Sequence, residues 1–190
     1  MTVLTPPRPP IVDLALADAR RWCAGQVIDD RPALAHAARV AVILGEHVAA
    51  PAPELIVAVL LHDSPEFAPR DLDLDSVLVG RYGSEVTRIV RALETEHQAL
   101  DTDHPVISVD DLPVLLASTA DKIVALTSLT RRAEKSGDSS AFFAARPALV
   151  SLLAHFAAFA DAGAGRVPAS MTRQLRHVLD ILVEAARGEC

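Results

Sequence analysis

The sequence predicts an all-helical, single-domain bundle, and three observations predict it. Hydrophobic residues make up 51% of the 190 residues while aromatics make up only 4%, so the apolar content is dominated by alanine and leucine, the strongest helix formers. Apolar positions recur near the helical period, and no stretch reads as a strand. Prolines and glycines fall between these stretches, where they begin and end helices. A chain of this length has ample apolar content for one core.

The elements follow in order. Residues 1–10 are proline-rich and read as a disordered lead-in to a domain over residues 11–190. Ile11, Leu14, Leu16, Ala17 and Trp22 are interleaved with Asp13, Asp18, Arg20 and Arg21 in a pattern closer to the helical period than to alternation, which predicts a helix over residues 11–26. Asp29 and Asp30 ahead of Pro32 read as the start of a second helix that runs to about residue 47 and carries His36 and His47. Pro51 and Pro53 break it and open a third, which stops at the His62-Asp63 corner because Pro65 disfavours helix at Ser64.

Residues 68–75 read as a polar loop and residues 76–82 as a short helix stopped by Gly83. Ser84 is placed to cap a helix over residues 85–97, where Val86, Ile89, Val90 and Leu93 form an apolar stripe. After a loop over residues 100–109, Asp110, Asp111 and Pro113 open a long helix to Lys135, closed by Gly137. Two further helices are expected over residues 141–160 and 169–186, joined by a glycine-rich turn. No internal repeat is present.

Composition excludes several classes of partner. The net charge is −7 with no Lys/Arg-rich block, which argues against a nucleic-acid ligand whose phosphates need a basic face. The N-terminus lacks the basic-then-apolar order of a secretory signal, and no apolar run is read as a membrane span. Cys23 and Cys190 form no spacing motif, so a soluble protein in a reducing cytoplasm is expected. The alanine-rich amphipathic helices allow a homodimer without requiring one.

The chemistry is expected at one stretch, Val57-Ala58-Val59-Leu60-Leu61-His62-Asp63-Ser64-Pro65-Glu66. An aliphatic run that ends in an imidazole and a carboxylate carries two polar groups to the edge of a core, where they are costly without a partner. A metal ion is the usual partner, and nitrogen with oxygen ligands suits Mn, Fe, Zn or Mg. Asp121 sits among Leu115, Leu116, Ala120, Ile123, Val124 and Leu126, surroundings unlike those of a solvated surface charge. His36, His62, Asp63 and Asp121 thus offer four candidate ligands from three helices.

That order, His36, then His62-Asp63, then Asp121, resembles the signature of the HD-domain metal-dependent phosphohydrolases. The resemblance covers most of the chain and implies an all-helical HD-type bundle that holds a divalent cation, manganese first, with iron, cobalt, magnesium or zinc as other options. Leu60-Leu61-His62-Asp63-Ser64-Pro65-Glu66, the stretch Arg81-Tyr82-Gly83-Ser84-Glu85-Val86-Thr87-Arg88-Ile89-Val90 and Thr119-Ala120-Asp121-Lys122 are similar to the RelA/SpoT-type alarmone hydrolases and their small single-domain relatives. It implies a nucleotide substrate of the ppGpp type, cleaved to a 3′-hydroxyl nucleotide and pyrophosphate, with Glu66 activating the attacking water. In the residues that follow, this chain has Phe67 where those enzymes carry Asp and Ala125 where they carry Asn, so either the substrate differs or the fold serves as a non-catalytic nucleotide or metal sensor.

The chain also resembles the 5′-deoxynucleotidase-like HD enzymes in Glu66 with Asp71 after the HD pair and in Arg21-Trp22 before the first His. That branch implies catalytic roles for Glu66 and Asp71, a phosphate contact from Arg21, and a nucleoside plus phosphate as products. Lys122 and Arg146 are further candidates for substrate phosphate oxygens. Each has a plainer reading beside it: Glu66 as a solvated loop residue, Asp71 as one of three solvated or capping aspartates, Arg21 as a surface charge beside a packed indole. His47, His97, His104, His155 and His177 match no ligand spacing and are expected to be structural or surface groups.

Overall fold

A computed structural model describes residues 2–102, 105, 107 and 109–188. The chain is an all-α single-domain bundle, as the composition and periodicity predict. Among the described residues ten helices are present: α1 (Pro10–Trp22), α2 (Ala33–His47), α3 (Pro53–Leu61), α4 (Ser64–Phe67), α5 (Leu74–Tyr82), α6 (Ser84–Ala99), α7 (Leu112–Lys135), α8 (Ser139–Ala144), α9 (Pro147–Gly163) and α10 (Ala169–Arg187). The histidine at 104 and the terminal cysteine at 190 lie outside the described residues.

Two helices organise the rest. All seven residues from Leu55 to Leu61 are buried, because α3 is enclosed by α1, α2, α6 and α7. A helix apolar on every face needs such surroundings, and each of its large side chains contributes roughly 1.5–3 kcal/mol when fully buried. The second spine, α7, packs against α2, α3, α6, α8 and α10. By length and hydropathy α7 could cross a membrane, unlike the expectation that no run is long enough, but 78% of its apolar window is buried inside the bundle.

The caps explain where the helices start. Asp73 accepts from the Ser76 amide at 3.1 Å, and Asp111 accepts from the Val114 amide at the head of α7, each satisfying an amide that the helix leaves free. Gly83 ends α5 and immediately precedes α6 with φ 88°, a conformation costly for any residue with a Cβ.

Four local expectations are corrected. Asp29 and Asp30 do not cap α2; they are the two turn residues of a minimal antiparallel hairpin, β1 (Val27–Ile28) and β2 (Arg31–Pro32). Their φ values of 53° and 63° are those of a tight turn with both central residues left-handed, which Asp tolerates better than most side chains. Arg132 on α7 pairs with both aspartates and pins the hairpin to the bundle. The helix expected over residues 141–160 is two, because Pro147 forces Arg146 out of helical geometry (φ −135°, ψ 58°). The first helix ends at Trp22 rather than 26, with Gly25 at φ 76° in the turn that follows. Residues 2–9, expected to be disordered, place Val3 and Leu4 against the core, with the Val3 side chain over the bare Cα of Gly45.

Candidate metal centre

Each candidate ligand is presented for a local reason. His36 lies on the buried face of α2 with Ala33, Ala37 and Val40, positions separated by three and four residues. His62 is the residue at which α3 stops. Its Nδ1 donates to the Val59 carbonyl at 2.8 Å, which fixes the ring on its own helix and leaves Nε2 for the centre. Asp63 immediately follows and precedes α4. Asp121 lies midway along α7 in an unbroken buried run from Val114 to Val124.

These side chains converge. Ligand atoms of His36, His62 and Asp121 all lie within 4.8 Å of one another, so the three could hold a metal ion. Asp121 Oδ1 is 2.9 Å from His36 Nε2 and 3.4 Å from His62 Nε2. Asp63 lies beside the cluster, with Oδ1 3.3 Å from His62 Nε2, but it is not one of the three residues whose ligand atoms converge. Two atoms of the cluster, His62 Nε2 and Asp63 Oδ2, are buried with no hydrogen bond. Buried polar atoms without partners are rare and expensive; a cation accepting lone pairs from both would satisfy them. Imidazole nitrogens and carboxylate oxygens from three elements are a donor set that fits a divalent transition ion.

The electrostatics of the cluster follow from imidazoles gathered around buried carboxylates. Burial acts to raise the Asp121 carboxyl, but the hydrogen bonds from His36 and His97 and the His62 imidazole close by outweigh it and hold the group well below the usual carboxylate range. For His62 burial acts to lower the imidazole, and the Asp63 charge with the Asp121 contact overcomes it, raising the group to about 9.

A further ligand-type residue was not anticipated. His97, on the last turns of α6, places Nε2 at 3.0 Å from Asp121 Oδ2, with its ring 5.9 Å from that of His62. The signal lay in the α6 stripe: Val86, Ile89, Val90 and Leu93 are buried, and residue 97 is one turn further along that face. His47, by contrast, is structural, with Nδ1 2.9 Å from Ser170 Oγ and Nε2 2.6 Å from Gln174 Oε1.

A cavity of about 390 Å³ opens beside the cluster, lined by His36, Asp63, Glu66, His97, Asp121 and Lys122 among others. Glu66 is exposed on α4 and also lines a second cavity of about 280 Å³ with His62 and His97. Ala125 contributes only a methyl group to the first cavity, together with Leu126 and Phe156.

The structure separates the remaining site candidates. Lys122 lines the cavity, but its ammonium is buried against Glu96, 2.9 Å from Ser118 Oγ and 4.4 Å from the Phe159 ring. Its charge is already neutralised. Arg21 lines none of the cavities described and reaches back to Asp18 at 2.8 Å; Asp18 is a buried carboxylate also held by Arg81 and the Tyr82 hydroxyl. Arg146 lies over the Phe142 ring at 3.8 Å and donates to the Phe142 carbonyl. Asp71 is exposed and lines no cavity described here. No protein-family model matches the chain, and no curated protein matches it in sequence.

Proposed function

We propose that the chain is an HD-type, metal-dependent phosphohydrolase acting on a nucleotide phosphate ester, with release of pyrophosphate from a ppGpp-type alarmone as the leading reaction. One observation carries this reading: ligand atoms of His36, His62 and Asp121 lie within 4.8 Å of one another, and His62 Nε2 and the adjacent Asp63 Oδ2 are buried with no hydrogen bond. Those four residues would hold the ion, with manganese as the first choice. A bound divalent cation would polarise a phosphoryl oxygen and acidify a water.

The chain's own residues would supply the rest. Glu66, exposed at the mouth and with no hydrogen bond to its carboxylate among the described residues, would accept the proton of the attacking water. The His62 ring, fixed by the Val59 carbonyl, would keep the centre rigid during the reaction. The apolar wall of Leu126 and Phe156 would exclude bulk water from one side of the ester. Arg21 and Asp71 lie away from the cavity, which favours the alarmone-like layout over the 5′-nucleotidase one.

A second reading, a non-catalytic nucleotide or metal sensor, is favoured by Ala125, which offers the cavity no polar contact. Incubation with ppGpp, deoxynucleoside monophosphates and triphosphates in manganese, cobalt or magnesium separates the readings. Pyrophosphate release supports the proposal, phosphate release supports the nucleotidase chemistry, and binding without turnover supports the sensor. Under the leading reading the protein works in the cytoplasm, where such nucleotides reside.

A further inference from the structure

We infer that the buried Lys122–Glu96 pair is a positioning device for the metal centre, setting the last turns of α6 against α7 so that His97 reaches Asp121. This deepens the reading above and rests on it for the ion that the centre would hold.

Two contacts join the same two helices at consecutive positions. Glu96 and His97 are neighbours on α6, Asp121 and Lys122 are neighbours on α7, and they meet as Glu96 with Lys122 and as His97 Nε2 with Asp121 Oδ2 at 3.0 Å. Adjacent helical residues are only about 1.5 Å apart along the axis and belong to one hydrogen-bonded unit. A slide or rotation of α6 that broke the first contact would therefore displace the second by a similar amount.

The two contacts are not held equally firmly. The His97 side chain is 35% exposed, against 5% for Lys122 and 14% for Glu96. Leu93 is the last buried residue of α6, so the apolar stripe does not reach the turn that carries His97. Glu96 anchors that turn instead. Its Oε1 accepts from the Lys122 ammonium and from Ser118 Oγ at 2.8 Å, while Lys122 Nζ also donates to Ser118 Oγ at 2.9 Å. The same ammonium lies 4.4 Å from the centre of the Phe159 ring on α9. One cation thus ties α6 and α9 to α7, one residue away from the carboxylate that gathers the imidazoles.

The energetics favour register over stability as the role of this pair. Taking two charges out of water offsets much of their attraction, and well-packed apolar side chains of similar volume often stabilise as well or better. An apolar contact, however, is non-directional and tolerates sliding. A closed set of charge-assisted hydrogen bonds accepts one arrangement of the two helices and resists others. Lys122 is consumed by this arrangement, which is why it lines the cavity without offering a free charge to it.

The test combines Glu96→Gln with Lys122→Met in the full chain, which leaves no charge unpaired, and places the combined variant alone and beside His97→Ala. In chelator-treated protein, a long-range proton–nitrogen correlation spectrum of the imidazoles reads the His97 contact without any metal. The combined variant is expected to move the His97 Nε2 resonance and to leave those of His47 in place. In manganese titrations it is expected to weaken affinity about tenfold, yet to cost less than about twofold once His97 is already alanine, because the two changes act through one contact. Tyr82→Phe removes a buried hydrogen bond to Asp18 and is expected to leave both readouts unchanged, so a loss of stability alone does not produce the effect. Should the combined variant fail to fold by circular dichroism, Ser118→Ala loosens the same set of hydrogen bonds without touching a charge and is judged by the same readouts. The inference is overturned if the His97 resonance stays in place, if manganese affinity is unchanged, if the pair costs as much affinity without His97 as with it, or if Tyr82→Phe shifts both readouts equally. If the wild-type chain binds no manganese while the His97 resonance still moves in the variant, the register stands and the hydrolase reading falls alone.

Discussion

His97 Nε2 lies 3.0 Å from Asp121 Oδ2, while the other oxygen of the same carboxylate faces His36 and His62. One carboxylate on α7 thus collects imidazoles from three other places in the chain, and both of its oxygens are engaged. Under the metal reading proposed above, His97 would either orient Asp121 for the ion or approach the ion itself. In both cases its loss weakens the centre.

The His97→Ala variant is expected to weaken manganese affinity by roughly 10- to 100-fold, the usual effect of losing a ligand's supporting contact. Asp121→Asn is expected to abolish stoichiometric binding, since it removes the charge shared by the three rings. Metal analysis of the purified proteins, with circular dichroism to verify the helical fold, checks both. Full metal content in Asp121→Asn would refute the centre.

Stability without metal should depend on pH in a defined direction. The His62 imidazole is raised from 6.5 to about 9 in the folded chain, so its contribution is complete below about 6.5 and disappears as pH rises through 9. Asp121 is shifted downward from 3.8, so its contribution is present above that value and is lost on acidification. Thermal melts of chelator-treated protein should therefore fall between pH 6.5 and 9. Saturating manganese should flatten that decline, because the ion takes the place of the proton. An unchanged pH profile with and without manganese would contradict this account.

Glu66→Gln keeps the shape of the cavity mouth and removes a base. Metal content and melting temperature are expected to match wild type, while kcat on whichever ester is cleaved falls about 100- to 10,000-fold. A drop confined to KM would instead assign Glu66 to binding.

The Lys122–Glu96 pair is enclosed, with side-chain exposures of 5% and 14%. Lys122→Met alone should destabilise the protein by about 3–5 kcal/mol by stranding the Glu96 carboxylate. Adding Glu96→Gln should recover much of that loss. Urea unfolding of the two variants decides it, and equal stability of single and double variants would show that the pair is not coupled.

Much of this was legible in the sequence because it rests on local rules. The buried runs of α3 and α7, their proline starts and the break at Gly83 follow from periodicity and from which residues tolerate which backbone angles. The convergence of His36, His62 and Asp121 was legible only through their order along the chain, since their spacing carries no local geometry. What could not be read depends on tertiary context. Asp29 and Asp30 satisfy the rules for a helix cap and for a tight turn alike, and Arg132, more than a hundred residues away, accompanies the turn. His97 looked like surface because its polar side chain ends an apolar stripe, yet that stripe is what aims it inward. Arg21, Lys122 and Arg146 were attractive as phosphate contacts by type, whereas Asp18, Glu96 and Phe142 respectively engage them.

The apolar character of α7 has a consequence for how the protein fails. Folded, its lipid-compatible surface is sealed under five neighbouring helices. Once heat or shear strips those neighbours away, the exposed segment is as greasy as a bilayer-crossing helix and will adhere to other chains, vesicles or vessel walls before it can return. Thermal inactivation of this protein should thus be irreversible and faster at higher protein concentration, and short-chain detergent should delay its precipitation.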